Sequence, residues 1–299
     1  MARAAGAVGT AHAGFAARKP IFVRLRDFAR RKPLGAAGGV IVVGLVLVAI
    51  MAPLLAPFSP YKQYLEDVFR PPGAPYFLGT DDLGRDILSR IIWGARISLY
   101  VGLLAVISGT TVGGVAGLVS GYVGGKMDML LQRLMDALMS FPTLILALSI
   151  MAALGTSLSN VVIAIAIVEI PRASRVMRST ALSVKEMQYV EAARAVGSSG
   201  WRIVFRHVLP NCLAPYIVLA TAELGAAIIV EASLSFLGLG TPPPEPSWGG
   251  MLARSGRSYL ERAPWIAIFP GLVMSMVVFG FNLLGDAVRD IWDPRLRRA

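Results

Sequence analysis

The chain has 299 residues, of which 55% are hydrophobic and 16% charged, and its mean hydropathy is +0.64. Soluble domains carry about 25% charged residues, so this chain has too little polar side chain to cover a water-facing surface. A net charge of +11 keeps nucleic acid in view as a partner, while a lone cysteine (Cys212) excludes an internal disulfide framework and two distant histidines (His12, His207) leave little for a zinc site.

Residues 1–33 form a basic arm, Ala/Gly-rich over 1–20 and expected to be disordered there. The uncharged run from Leu34 to Ala56 is long enough to cross a bilayer and makes the first transmembrane helix, 34–56. Its length, the 33 residues before it and the missing A-x-A site after it argue against a cleaved signal peptide. An extracytoplasmic segment follows at 57–96, with Pro57, Pro60, Pro71, Pro72 and Pro75 and a short interfacial helix over Asp86 to Ala95.

The remaining spans form a five-helix core at 97–288. They are Ile97 to Gly121, Ala137 to Gly155, Leu158 to about Val176, Leu213 to Ser235 and Pro264 to Ala287. The fourth is the weakest, because its apolar stretch is short and contains Glu169; Arg172 and Arg175 would snorkel from its last turns. Between spans lie a tight hairpin near residue 156, a long loop at 172–210 and an outer loop at 236–263. The loop 172–210 reads as a helix over Ser183 to Val196, a break at Gly197-Ser198-Ser199-Gly200, and a second helix from Trp201 to Leu209 ended by Pro210. Residues 289–299 are a basic tail.

Basic residues set the orientation. The arm, the second and fourth inter-span loops and the tail hold 21 Lys/Arg; the other side holds eight. Both termini are therefore expected in the cytoplasm, which requires an even number of spans and supports the weak fourth one. The basic excess is that of a polytopic protein at its cytoplasmic face, so nucleic acid is not an expected partner and membrane lipid is.

Gly109, Gly113, Gly117, Gly121 and Gly125 recur every fourth residue and form a shallow groove suited to close helix packing, with a backbone-lined path as the lesser alternative. A P-loop is absent, since Gly125-Lys126 lacks both the first glycine and the following Ser/Thr. Asp81, Asp82 and Asp86 fit turn and helix-cap chemistry around Gly84 better than a metal site. No metal site and no catalytic residue is expected, and no nucleophile–base pair is in evidence. Glu223 and Glu231 share one face of the fifth span and stand either on a translocation path or against neighbouring helices. Glu169 is expected to pair with Arg172, three residues on. Asp286 follows Asn282 by four near the inner boundary and is read as structural.

Glu191-Ala192-Ala193, Gly197 and Leu209-Pro210 resemble the EAA signature of ABC importer permeases. Arg206-His207-Val208-Leu209-Pro210-Asn211 is similar to the dipeptide, oligopeptide and nickel branch, in which His207 replaces the usual Ile. Leu78 to Asp86, Gly121-Tyr122 with Gly124-Gly125 and Asp128, Leu234 to Gly240 with Ser247-Trp248-Gly249, and Asn282 to Asp286 with Asp293-Pro294 resemble the second permease subunit of those systems. The resemblance implies an all-α polytopic membrane protein with six transmembrane helices, the type I importer permease fold and a cytoplasmic coupling helix. Glu191, Ala192, Ala193, Gly197, His207, Leu209 and Pro210 would dock on an ATPase. Implied partners are a homologous permease subunit, two ATPase subunits that hold ATP and Mg, and an extracytoplasmic substrate-binding protein; this chain itself would bind no cofactor and hydrolyse nothing. Peptides are the implied solute class. A stand-alone proton-coupled carrier using Glu223 and Glu231 is the alternative.

Overall fold

A computed structural model describes residues 32–292, together with Val23, Arg26, Phe28, Ala29 and Arg30. The expected disorder over 1–20 and most of the tail at 289–299 lie outside the described residues. Among the described residues the chain is helical, with no strand beyond a single bridge between Thr80 and Asp86. The helices are α1 (Pro33–Ile50), α2 (Ala52–Leu55), α3 (Ile87–Val123), α4 (Gly125–Met139), α5 (Thr143–Leu154), α6 (Leu158–Lys185), α7 (Gln188–Ala195), α8 (Gly200–Ile203), α9 (Leu209–Phe236), α10 (Trp248–Ser258) and α11 (Trp265–Trp292). Four stretches are long and apolar enough to cross a membrane: α1, α3, the continuous run Gly200–Phe236, and α11. The α4–α5 pair, bent by 92°, is a candidate broken fifth. α6 has the length of a span, but Glu169, Arg172, Arg175 and Arg178 lower its apolarity, so the count of six is approximate.

Three expectations about boundaries are corrected. The interfacial helix over Asp86 to Ala95 is the first part of α3, a single helix of 37 residues. At 1.5 Å per residue it runs about 55 Å, well beyond a hydrocarbon core of about 30 Å. Residues 137–155 are not one straight span, because Ser140, Phe141 and Pro142 separate α4 from α5. Pro210 does not end a helix. A π-helical turn over Val204–Val208 widens the backbone, with Leu209 N–H donating to Val204 O, and the helix continues through Pro210 into α9. Proline lacks the N–H that an α-helix would use there, and a π-turn is one way a helix absorbs that loss.

The glycine stripe forms the central seam. A Cβ at Gly109, Gly113, Gly117 or Gly121 would run into the backbone of Ala166, Ile170, Ser174 or Arg178 respectively. Both helices advance by four residues at each step, so α3 and α6 run parallel with their backbones touching. Gly125 is not part of it: the chain turns at Gly124 (φ +71), and Gly125 (φ +61) has no neighbour where its Cβ would be. Asp128 at the start of α4 reinforces the seam from below, receiving Arg178 Nε and Nη2 at 2.6 Å each and the Ser120 hydroxyl. The expected hairpin is tight, with Asn160 Nδ2 donating to the carbonyls of Leu154 (2.9 Å) and Gly155 (3.0 Å).

α9 crosses α3 and backs onto α11, where Gly225 admits Asn282 and Gly285 admits Ala222. α1 covers α11 through Gly35 and Gly38. In the segment before α3, the acidic cluster does turn and cap chemistry. Asp81 Oδ1 accepts from Leu83 N and Arg85 N at 2.9 Å, Gly84 sits at φ +70, and Asp86 Oδ2 caps α3 by accepting from Ser89 N at 2.8 Å. Asp81 also holds buried Arg85 at 2.7 Å. Trp248 is buried against Gly94 and donates to Ile91 O at 3.0 Å, tying the second outer loop to α3. The Tyr76 hydroxyl and Arg70 converge on Asp67 at 2.9 and 2.8 Å, which holds the Asp67 carboxyl below its usual range.

Two outcomes follow from these contacts. Gly117→Val forces α3 away from α6 and is expected to cost about 3 kcal/mol or more, as overpacking against a rigid wall does, whereas Gly44→Ala, with open space at its Cβ, is neutral. Thermal unfolding midpoints in detergent compare them. Because the Asp67 contribution is present above about pH 3.8 and is lost as pH falls through its lowered value, the segment 57–86 should become protease-sensitive in acid. Asp67→Asn should be sensitive already at neutral pH, as limited proteolysis will show.

Candidate functional sites: a cytoplasmic elbow and an intramembrane cavity

α6 stops at Lys185, and the chain turns through Glu186 and Met187 into α7. One side chain anchors α7. Val190 is fully buried among Met177, Ala181, Val184, Ile203, Val204, Val208 and Cys212. The helix ends as a C-terminal glycine dictates: Gly197 takes φ +81, its N–H donates to Arg194 O (2.9 Å), and Ser198 N–H donates to Ala193 O (3.0 Å).

The seven residues singled out in this loop divide into two groups. Glu191, Ala192, Gly197 and Pro210 are exposed, and Ala193 is half-buried at the edge of the cluster. Leu209 packs into the cluster, and His207 lies under α7 with its ring 5.9 Å from that of Tyr189. Asn211 Nδ2 joins the His207 carbonyl (2.6 Å) to the Tyr189 hydroxyl (3.2 Å). His207 and Leu209 thus support the elbow from behind. Sequence reasoning missed its largest exposed apolar groups, Val196, Trp201 and Phe205, which are 83%, 73% and 61% exposed. Trp201 and Phe205 stack with ring centroids 6.0 Å apart. Their spacing of four on a short helix was the available signal.

The second site is a cavity of ≈ 430 Å³ between the α4–α5 break, α6 and α9. Leu138, Phe141 and Leu146 line one side; Glu169, Arg172 and Glu223 line the other. Glu169 does not pair with Arg172 as expected. Arg172 Nη1 reaches across to Glu223 Oε1 at 2.8 Å. Glu223 and Glu231 also separate. Eight residues advance a helix by about 12 Å, and Glu231 lies beyond the cavity, fully buried, with Oε1 accepting from Ser235 Oγ at 2.8 Å. Asp286 borders a different pocket near Lys32 and Asp290, which pair at 2.6 Å.

Four helices long and apolar enough to cross a membrane, with a bent pair as a candidate fifth span, define a multi-pass membrane protein. Residues 113–298 match the family described as binding-protein-dependent transport system inner membrane component, and residues 25–72 match the N-terminal transmembrane domain of oligopeptide transport permease C. A putative peptide transport system permease of Brucella suis is 42% identical over 94% of both chains. The dipeptide transport system permease DppC of Alkalihalophilus pseudofirmus is 44% identical over 90% of this chain and 88% of that one. The glutathione transport system permease GsiD of Pectobacterium atrosepticum is 41% identical over 91% of each. In fold, the chain is similar to one from inward-facing structures of the MetNI methionine ABC transporter, with a TM-score of 0.59 at 16% identity over 69% of this chain and 98% of that one. The chain belongs to the binding-protein-dependent transport permease family, as an inner-membrane component.

The Arg172–Glu223 pair yields a double-mutant test. Arg172→Met leaves two buried carboxyls facing each other, whereas Glu223→Gln leaves without its partner a guanidinium that is 65% exposed. The first is expected to destabilise the protein more, by about 1–2 kcal/mol in unfolding free energy, below the 3–5 typical of a fully buried pair. The double variant should recover part of that loss.

Proposed function

We propose that this chain is one permease subunit of an ATP-driven importer for di- or oligopeptides or related solutes. It works with a homologous permease subunit, two ATPase subunits that bind ATP and Mg, and an extracytoplasmic binding protein. Both termini face the cytoplasm, as the distribution of 21 against eight basic residues favours. The chain carries no nucleotide site of its own, and hydrolysis belongs to its partners.

The observation that carries this reading is the elbow. α7 presents Glu191 and Ala192 to solvent, with Val196, Trp201 and Phe205 exposed beside it, on a base fixed by Val190. A short helix with small side chains can lie deep in a partner's groove, and the apolar groups beside it lose exposed surface when it does so. The relatives are named as permeases of peptide, dipeptide and glutathione systems, which supports the solute class. When the ATPases close, the elbow transmits their movement to α6 and α9, whose ends meet beneath it. The stand-alone carrier draws no support from the geometry, since Glu223 and Glu231 do not share a cavity.

Gly197→Val tests the coupling. No atom lies near the missing Cβ, so the substitution acts through the backbone alone. A left-handed conformation costs an ordinary residue about 1–2 kcal/mol, and a β-branched one more. The assembled transporter should stay in the membrane while its binding-protein-dependent uptake falls about tenfold or further, since 1.4 kcal/mol corresponds to a factor of ten. Unchanged uptake would overturn the coupling role.

A further inference from the structure

The cavity sets two acidic side chains against one basic one. Its polar side chains are Glu169, Glu223, Arg172 and Thr143. Glu169 is 6% exposed and Glu223 3%. The Glu169 carboxyl meets the Glu223 carboxyl, a group of like charge. Arg172 Nη1 lies 2.8 Å from Glu223 Oε1, yet that enclosed oxygen accepts no aligned hydrogen bond. The site lies at mid-depth, because Glu169 packs against Gly109, midway along the uncharged run from Ile97 to Gly121. Ionisable side chains are costly in such a place and mark function.

These side chains define the chemistry of a ligand. No group of three or more metal-ligating side chains occurs among the described residues, and the guanidinium of Arg172 beside the two carboxyls repels a metal cation. A bare proton would neutralise the pair without needing a cavity of ≈ 430 Å³ or an arginine at its edge. An ammonium group fits: its three N–H donors can be shared between two carboxyls. The volume lies in the range of small-molecule sites, roughly 300–1,000 Å³. Arg172 keeps 65% of its side chain exposed and offers free donors to a carboxylate.

We propose that this cavity is a subsite of the transport path for zwitterionic short peptides, in which Glu169 and Glu223 receive the protonated α-amino group and Arg172 the terminal carboxylate. The inference rests on the importer reading above and names what its path selects. The solute then leaves its binding protein for a site that compensates its charges, so that neither end crosses the bilayer centre bare.

The test uses the full transporter in nanodiscs without its binding protein, probed with dialanine and N-acetyl-dialanine by saturation-transfer NMR. Wild type should bind dialanine at least tenfold more tightly than the acetylated form, and Glu169→Gln/Glu223→Gln should abolish that preference. Should the double variant not assemble, Glu169→Gln alone serves the same arm and should reduce the preference at least threefold. Equal binding of the two probes by wild type, binding of neither, or a preference that survives the substitutions would overturn the subsite. Binding-protein-stimulated ATPase activity in the same nanodiscs separates this from the parent reading. If that activity is present while discrimination is absent, only the subsite falls; if no stimulation occurs, the importer reading itself falls.

Discussion

Backbone contact between α3 and α6 is the constraint on which the rest of the molecule depends. Lipid is as apolar as any leucine, so helices in a membrane associate by close packing and polar contacts, with no net gain from hiding apolar surface. Four glycines at successive turns let α3 lie directly on the carbonyls of Ala166, Ile170, Ser174 and Arg178. That seam holds α6 in the bundle although its own sequence is too polar to insist on it. It also sets the height of everything α6 carries: Glu169 opposite Gly109 at mid-depth, Arg172 one turn lower and facing α9, and Arg178 at the base on Asp128.

The lower end of α6 then determines the elbow. Met177, Ala181 and Val184 form the floor on which Val190 rests, and the π-turn with its following helix closes the other side through Val204 and Val208. The elbow is therefore joined to two long helices through one apolar cluster. A push on α7 reaches α6 and α9 together, and those are the helices whose Glu169, Arg172 and Glu223 line the cavity. Site and elbow lie on the same two rods, a plain physical route for coupling one to the other.

Much of this was legible in the residues. Apolar runs located the four helices long and apolar enough to cross a membrane, glycine periodicity located the seam, and the Gly197 break located the end of α7, because each depends on local geometry or on transfer to lipid. The acidic cluster before α3 was also readable as turn and cap, since Asx turns and N-caps involve neighbours in sequence. What escaped was of two kinds. Helix continuity through Pro210 and from Asp86 into α3 was missed, because a break was inferred where neighbouring packing and a π-turn sustain the helix. Partner choice was missed as well. Arg172 is three residues from Glu169 in sequence, yet it bonds to Glu223, fifty-one positions away.

By itself the sequence determined which segments are apolar enough to be read as spans, which end faces the cytoplasm as an expectation, and which loop bears the elbow. These follow from hydropathy, charge and turn chemistry, all of them properties of a short stretch of chain. Only the tertiary structure decided that Glu223 belongs to a cavity while Glu231 does not, that His207 supports α7 from behind, and that Arg172 pairs with Glu223 and not with Glu169. Those outcomes depend on which helix lies beside which and at what height, a matter of long-range packing that no local pattern encodes.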